Sequence, residues 1–324
     1  MINDFIMSLR RFILKRLLSI VPILFGVSVI TFALVHLTPG DPISQMVATN
    51  PHVTAADEAQ MRSRYGLDGP IWEQYLTWMG NVLTGDFGEV ISSGQDVSSV
   101  IIARLPETIV LGLFGWVFGL VIAIPTGIYA AINKDQLADT VSRFVALSGI
   151  SIPNFWLGLM LILIGALWLE IWTVLPPSRL PLYHPEMLFY LILPGITIGT
   201  AAAASIMRVM RTSMAEELNK EYVTAARAKG LPERQVILKH VLRNSLISVV
   251  TLAATLTASI VAGSVVVEMV FNWPGLGREL IQAINQREIN LIMAITLFTG
   301  VFIVLANLLA DILYAVLDPR IRYE

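Results

Sequence analysis

The 324-residue chain contains no cysteine, so neither a disulfide framework nor a thiolate metal site is open to it. Charge is also scarce. Asp, Glu, Lys and Arg make up 14% of the residues, less than the surface of an ordinary soluble domain demands. Three catalytic signatures are missing: the G-x-x-x-x-G-K-[ST] phosphate loop, the H-E-x-x-H metal pair and the G-x-S-x-G nucleophile elbow. Any energy drawn from ATP therefore has to enter through another polypeptide. The sequence shows no convincing internal repeat, which weakens the case for a secondary carrier built from inverted repeats.

Hydrophobicity is what the chain has in abundance: 55% of its residues are apolar, and the mean hydropathy is +0.70. Six runs nearly free of charge are long enough to cross about 30 Å of hydrocarbon at about 1.5 Å per residue. They are Leu17–Leu37, Thr108–Ile132, Phe144–Leu169, Met187–Met207, Leu246–Val267 and Leu291 to about Leu313. The expected fold is an all-α polytopic membrane protein with six transmembrane helices. Residues 1–16 read as a basic interfacial segment before the first span at 17–37, and residues 38–107 as an external loop with some structure. Residues 108–317 read as the transmembrane core, and 318–324 as a tail.

Charge predicts the orientation. Of the 22 Lys and Arg residues, 16 fall before the first run, within 133–143, within 208–245 or after the last run, so both termini are expected to be cytoplasmic. The 38–107 loop is too long for a simple connector. Within it, Trp72, Tyr75, Trp78 and Met79 fall on one face of a predicted helix. The 170–186 connection carries Pro176, Pro177, Pro181 and Pro185 and reads as an ordered external turn.

Inside the runs, Gly195-xxx-Gly199 and Gly115-xxx-Gly119 allow close helix approach, as does the small-residue stretch that includes Ser259 and Gly263. Tight packing alone explains such residues, yet a weakly polar helix of this kind also suits a path along which solute slides. His36, Glu170, Glu268 and Asp311 lie near span ends, close enough to the interface to reach water. Glu268 is the best candidate for a gate because it ends the small-residue helix just before Phe271-Asn272-Trp273-Pro274-Gly275. No chain of acids at mid-depth suggests a proton relay.

The most informative stretch is polar. From Glu221 to Leu246 a short amphipathic helix through Ala225, Ala226 and Ala228 is predicted to break at Gly230, and Pro232 suits the first turn of the next helix. That second helix carries Val236, Ile237, Val241 and Leu242 on one side and leads into the fifth apolar run. A helix-turn-helix hung beneath a membrane domain is a shape that another protein can grip.

Thr224-Ala225-Ala226-Arg227-Ala228-Lys229-Gly230 and Leu242-Arg243-Asn244-Ser245-Leu246 resemble the cytoplasmic coupling loop of the permease subunits of binding-protein-dependent ABC importers, in the dipeptide, oligopeptide and nickel class. Thr224 stands where the family pattern has Glu. Further matches run in family order along the chain: Leu37-Thr38-Pro39-Gly40-Asp41-Pro42, Tyr65-Gly66-Leu67-Asp68, Gly85-Asp86-Phe87-Gly88, Ser151-Ile152-Pro153-Asn154-Phe155-Trp156, Phe271 to Arg278 and Asp318-Pro319-Arg320-Ile321-Arg322.

The resemblance implies a type I ABC importer permease in the cytoplasmic (inner) membrane, with no catalytic residue, metal or cofactor of its own, since ATP and Mg would be held by partners. It implies two ATPase subunits, one of them seating residues 224–230 in a cleft, a second homologous permease, surrounding lipid and an external solute-binding protein, and no nucleic acid. Arg227 and Lys229 would pair with acidic groups on the ATPase. The rival reading from the residues is an ATP-independent secondary carrier or channel. A membrane enzyme lacks any catalytic constellation.

Overall fold

The computed structural model describes residues 2–37, 43, 54–64, 68–168 and 185–317, with backbone alone at 2–13, 55, 61, 64, 167–168, 258–264 and 313–317. The segments Thr38–Pro42, Tyr65–Leu67 and Asp318–Arg322, together with Glu170 and the prolines 176, 177 and 181, lie outside the described residues.

The described elements are helical: α1 Ile2–Leu37, α2 Ala55–Arg64, α3 Ile71–Thr84, α4 Val97–Ile132, α5 Leu137–Ser151, α6 Asn154–Leu163, α7 Pro185–Glu217, α8 Glu221–Ala228, α9 Leu242–Val270, α10 Leu276–Gln286 and α11 Ile289–Leu317. Among the described residues, five helices are long and apolar enough to cross a membrane, or six where the bent pair of α5 and α6 is counted as one span. All six expected runs are found on these helices, with two corrections.

The first correction concerns the N-terminus. The backbone does not turn between residue 16 and the first span, because α1 runs as one helix of 36 residues. Neither Gly nor Pro occurs between Ile2 and Val21, so nothing in the local chemistry breaks it. The second concerns the third run, which is broken at Ile152-Pro153, where its two arms meet at 105°. Proline lacks the N–H that a helix needs and pushes the residue before it out of the helical region, and Ile152 is accordingly extended at φ −80°, ψ 123°.

The chain divides into two compact units. One comprises Lys15–Thr108 and Pro274–Phe302. Here α3 begins after Pro70, ends at Gly85 (φ +88°) and lays Tyr75 and Trp78 against Phe32 of α1. The Tyr75 hydroxyl also meets Ser28 Oγ at 2.9 Å. Trp72, expected on the same face, is exposed. The buried Glu288 carboxylate accepts the backbone N–H groups of Ile91 (2.8 Å) and Ser92 (2.9 Å), and Thr108 Oγ1 accepts that of Leu276 (2.8 Å).

The other unit comprises Met1–Leu14, Ile109–Trp273 and Ile303–Glu324. Its centre is α7, which α4 approaches through glycines on both helices. A Cβ built on Gly199 would lie 2.5 Å from the Gly115 carbonyl oxygen, and one on Gly195 would lie 2.1 Å from the Phe114 ring. The two G-xxx-G sequences therefore face each other. Only residues without a side chain permit backbone contact this close, and in lipid such packing replaces the hydrophobic force as the source of association. Trp116 of α4 donates its indole N–H to the Ala253 carbonyl of α9 at 3.3 Å.

Candidate functional site

Helix α7 runs about ten residues beyond its apolar stretch, to Glu217, and carries the chain to the polar segment. The turn at 218–220 leads into α8, whose two-sided character sets its orientation. Val223 and Ala226 are buried with Met210, Met214, Val236 and Val241 in one apolar cluster. Thr224, Ala225, Arg227, Ala228 and Lys229 face outward. Of the three alanines, only Ala226 points into the protein; Ala225 and Ala228 leave the outer face slim.

The break falls at the expected residue. Gly230 takes φ +77° and donates its N–H to the Arg227 carbonyl at 2.9 Å, while Leu231 N–H reaches Ala226 at 3.4 Å. These two bonds form a Schellman cap, the left-handed stop that glycine makes at least cost. Pro232 stands just before the next helical turn rather than within it, with ψ 138°. Glu233–Gln235 then begins that turn, and a π-helical stretch, Val236–Val241, leads into α9. Such π-helical turns are rare and recur at functional places.

Two polar constellations here escaped the sequence reading. The Tyr222 hydroxyl donates to Glu217 Oε2 at 2.5 Å and accepts from Asn244 Nδ2 at 3.1 Å, and Lys220 Nζ donates to the other Glu217 oxygen. Burial, and then the Glu217 carboxylate, push the Tyr222 hydroxyl up from its ordinary value, so it keeps its proton and remains the donor. The second constellation is the wholly buried Asp139, at the start of α5. It receives Arg211 of α7 through both oxygens, at 2.5 and 2.7 Å, and the N–H of Asp135 at 3.1 Å. The only trace of either in the sequence is a tyrosine two residues after Lys220 and one of the two acids in 133–143.

Arg227 pairs with Glu233 of the same chain, at 2.7 and 3.1 Å across the Gly230 turn, while its side chain stays exposed. One expectation is corrected: Glu268, expected to reach water, is fully buried. The chain does not leave the protein after α9. Asn272 takes a left-handed turn (φ 51°), Trp273 N–H returns to the Glu268 carbonyl at 2.8 Å, and Phe271 and Trp273 are buried with Leu111, Leu191 and Val267. Ser259 and Gly263 lie on α9 within the stretch described by backbone alone.

The comparisons with known proteins agree with this arrangement. Residues 123–323 match the family described as the binding-protein-dependent transport system inner membrane component. Residues 9–112 match the N-terminal part of such membrane components. The oligopeptide transport system permease protein AppB of Bacillus subtilis is 40% identical over 318 residues, covering 96% of this chain and 99% of the relative. The dipeptide transport system permease protein DppB of Escherichia coli is 35% identical over 340 residues (97% and 99%). The glutathione transport system permease protein GsiC of Escherichia coli is 38% identical over 313 residues (97% and 99%). Among solved structures, a chain of the MetNI methionine ABC transporter in an inward-facing conformation is similar in fold, with a TM-score of 0.52 and 18% identity, covering 68% of this chain and 97% of that one.

Proposed function

Because this chain belongs to the family of inner membrane components of binding-protein-dependent transport systems, and is thus a transport subunit rather than an enzyme, we propose that its solute is a di- or oligopeptide. Support comes from relatives named for oligopeptide, dipeptide and glutathione transport that match over nearly the whole chain. In this reading the chain pairs with a second homologous permease and works with two ATPase subunits and an external solute-binding protein. It sits in the cytoplasmic membrane with both termini inside, which places 16 of its 22 Lys and Arg residues on the cytoplasmic face.

The observation that carries the mechanism is the short helix α8, fixed on its inner face by Val223 and Ala226 and open on the face formed by Thr224, Ala225, Ala228 and Lys229. Closure of the ATPase subunits moves this helix as a rigid body, and the spans joined to it rock between outward and inward access. Ser259 and Gly263 line the path on α9, and the buried Glu268 with Trp273 braces its closure.

Uptake of a radiolabelled alanine tripeptide, measured with and without the partner ATPase, tests the reading. Uptake should vanish with the ATPase. Uptake that persists makes the chain an ATP-independent carrier. Cysteine at Ala225 should cross-link to the ATPase subunit in the assembled complex.

A further inference from the structure

We infer that the Tyr222 hydroxyl is the joint through which movement of α8 reaches the two spans on either side of it, so that Tyr222 is a positioning residue for coupled transport. The inference rests on the reading of α8 as the ATPase contact. The helix has only eight residues and no side-chain cap at its N-terminus, so its own hydrogen bonds do not hold it at a fixed angle. Its C-terminal end is tied by an exposed pair, Arg227 with Glu233, of the kind that contributes little rigidity.

Its N-terminal end is different. One phenol oxygen bonds at once to Glu217, the last residue of α7, and to Asn244, near the start of α9. The two residues it joins are 27 positions apart, and α8 with its turns lies between them. Glu217 is a charged acceptor: burial pushes its carboxyl up, but hydrogen bonds from Lys220, Tyr222 and Asn244 outweigh this and keep it ionised. Bonds to an ionised group are the stronger kind. The ring is half-buried against the apolar cluster, so the oxygen cannot swing away without unpacking it. A force on α8 is therefore delivered to α7 and α9 together, in a fixed proportion.

Tyr222→Phe keeps the ring and removes the joint. In the assembled complex reconstituted in vesicles, we expect ATP hydrolysis to continue while tripeptide taken up per ATP falls about tenfold, the factor that loss of a hydrogen bond to a charged group carries. Asn244→Leu should give the same fall, and the double variant no further one, since both remove the same joint. Glu217→Gln, which keeps an acceptor oxygen, should retain more coupling than Glu217→Ala. Cross-linking through cysteine at Ala225 separates the two ideas. Undiminished cross-linking with an unchanged ratio of uptake to hydrolysis in Tyr222→Phe overturns the joint and leaves the ATPase contact standing. Absent cross-linking in the parent protein overturns the contact itself. Loss of assembly in Tyr222→Phe and Asn244→Leu alike also overturns the proposal, because Tyr222 would then act on docking and not on transmission.

Discussion

Arg227 and Glu233 meet at 2.7 Å on opposite sides of Gly230, so the turn that ends α8 is closed by a pair of side chains as well as by its backbone. Arg227, one of the two cations expected to reach a partner, thus also has an acidic neighbour within the chain. Both groups are about half exposed, and such pairs contribute at most about 1 kcal/mol. Arg227→Glu should weaken co-purification of the ATPase subunit by placing two carboxylates across the turn, and adding Glu233→Arg should restore it. If the double variant is as weak as the single one, Arg227 meets the partner directly.

Gly230→Val should abolish coupled uptake while the protein still reaches the membrane. No atom lies within 4 Å of a Cβ built there, so the effect comes from the left-handed backbone alone, at about 1–2 kcal/mol or more for a branched residue. Gly230→Asn, which tolerates that conformation, should keep most of the uptake. Equal activity in the two variants would show that the turn does not set the position of α8.

At the crossing of α4 and α7, Gly199→Ala drives a methyl group into the Gly115 carbonyl, and overpacking of this kind costs about 1–3 kcal/mol. The midpoint of thermal unfolding in detergent should fall. An unchanged midpoint would mean that the helices separate without cost.

Arg211→Met leaves Asp139 charged and wholly buried with its principal partner gone, a loss of about 3–5 kcal/mol. The double variant Asp139→Leu with Arg211→Met should recover much of that stability, because it leaves no stranded charge. Thermal unfolding of the parent, the single and the double variant decides the matter; equal loss in the single and double variants argues that the pair specifies geometry rather than balancing charge.

Glu268→Gln should raise ATP hydrolysis in the absence of the binding protein, since a buried carboxylate that braces closure gives up about 1–3 kcal/mol when its interaction is lost. The tripeptide concentration for half-maximal uptake should change little. A large shift in that concentration with hydrolysis unchanged puts Glu268 in the solute site instead.

The spans were legible because a membrane asks for an unmistakable length of apolar residues, and the Gly230 break because glycine has one strong reason to stand there. The bend at Pro153 was also written in the sequence, but an uninterrupted apolar run hid it. What hydropathy could not show were partners distant along the chain. Asp139 and Arg211 are 72 residues apart, and Tyr222 and Asn244 are 22 apart; each pairing exists only once the two helices that carry its members have packed. Glu268 was misjudged for a related reason. Nearness to a span end was taken for nearness to water, while Phe271 and Trp273 fold back and seal it.

The bend between α5 and α6 has a consequence for solvation. Pro153 has no N–H to offer the Gly149 carbonyl, so one acceptor of the third span is left without its helical donor in the middle of an apolar run. Hydrocarbon supplies no substitute, and exposing such a group to it costs several kcal/mol. Helix α7 covers one side of the corner, where Ala204 and Thr200 lie 3.2 and 3.3 Å from a Cβ built on Gly149. On that side the packed methyl groups of α7 shield the unpaired Gly149 carbonyl from hydrocarbon, so a substitution that opened the α5–α7 contact would expose a polar group as well as an apolar one.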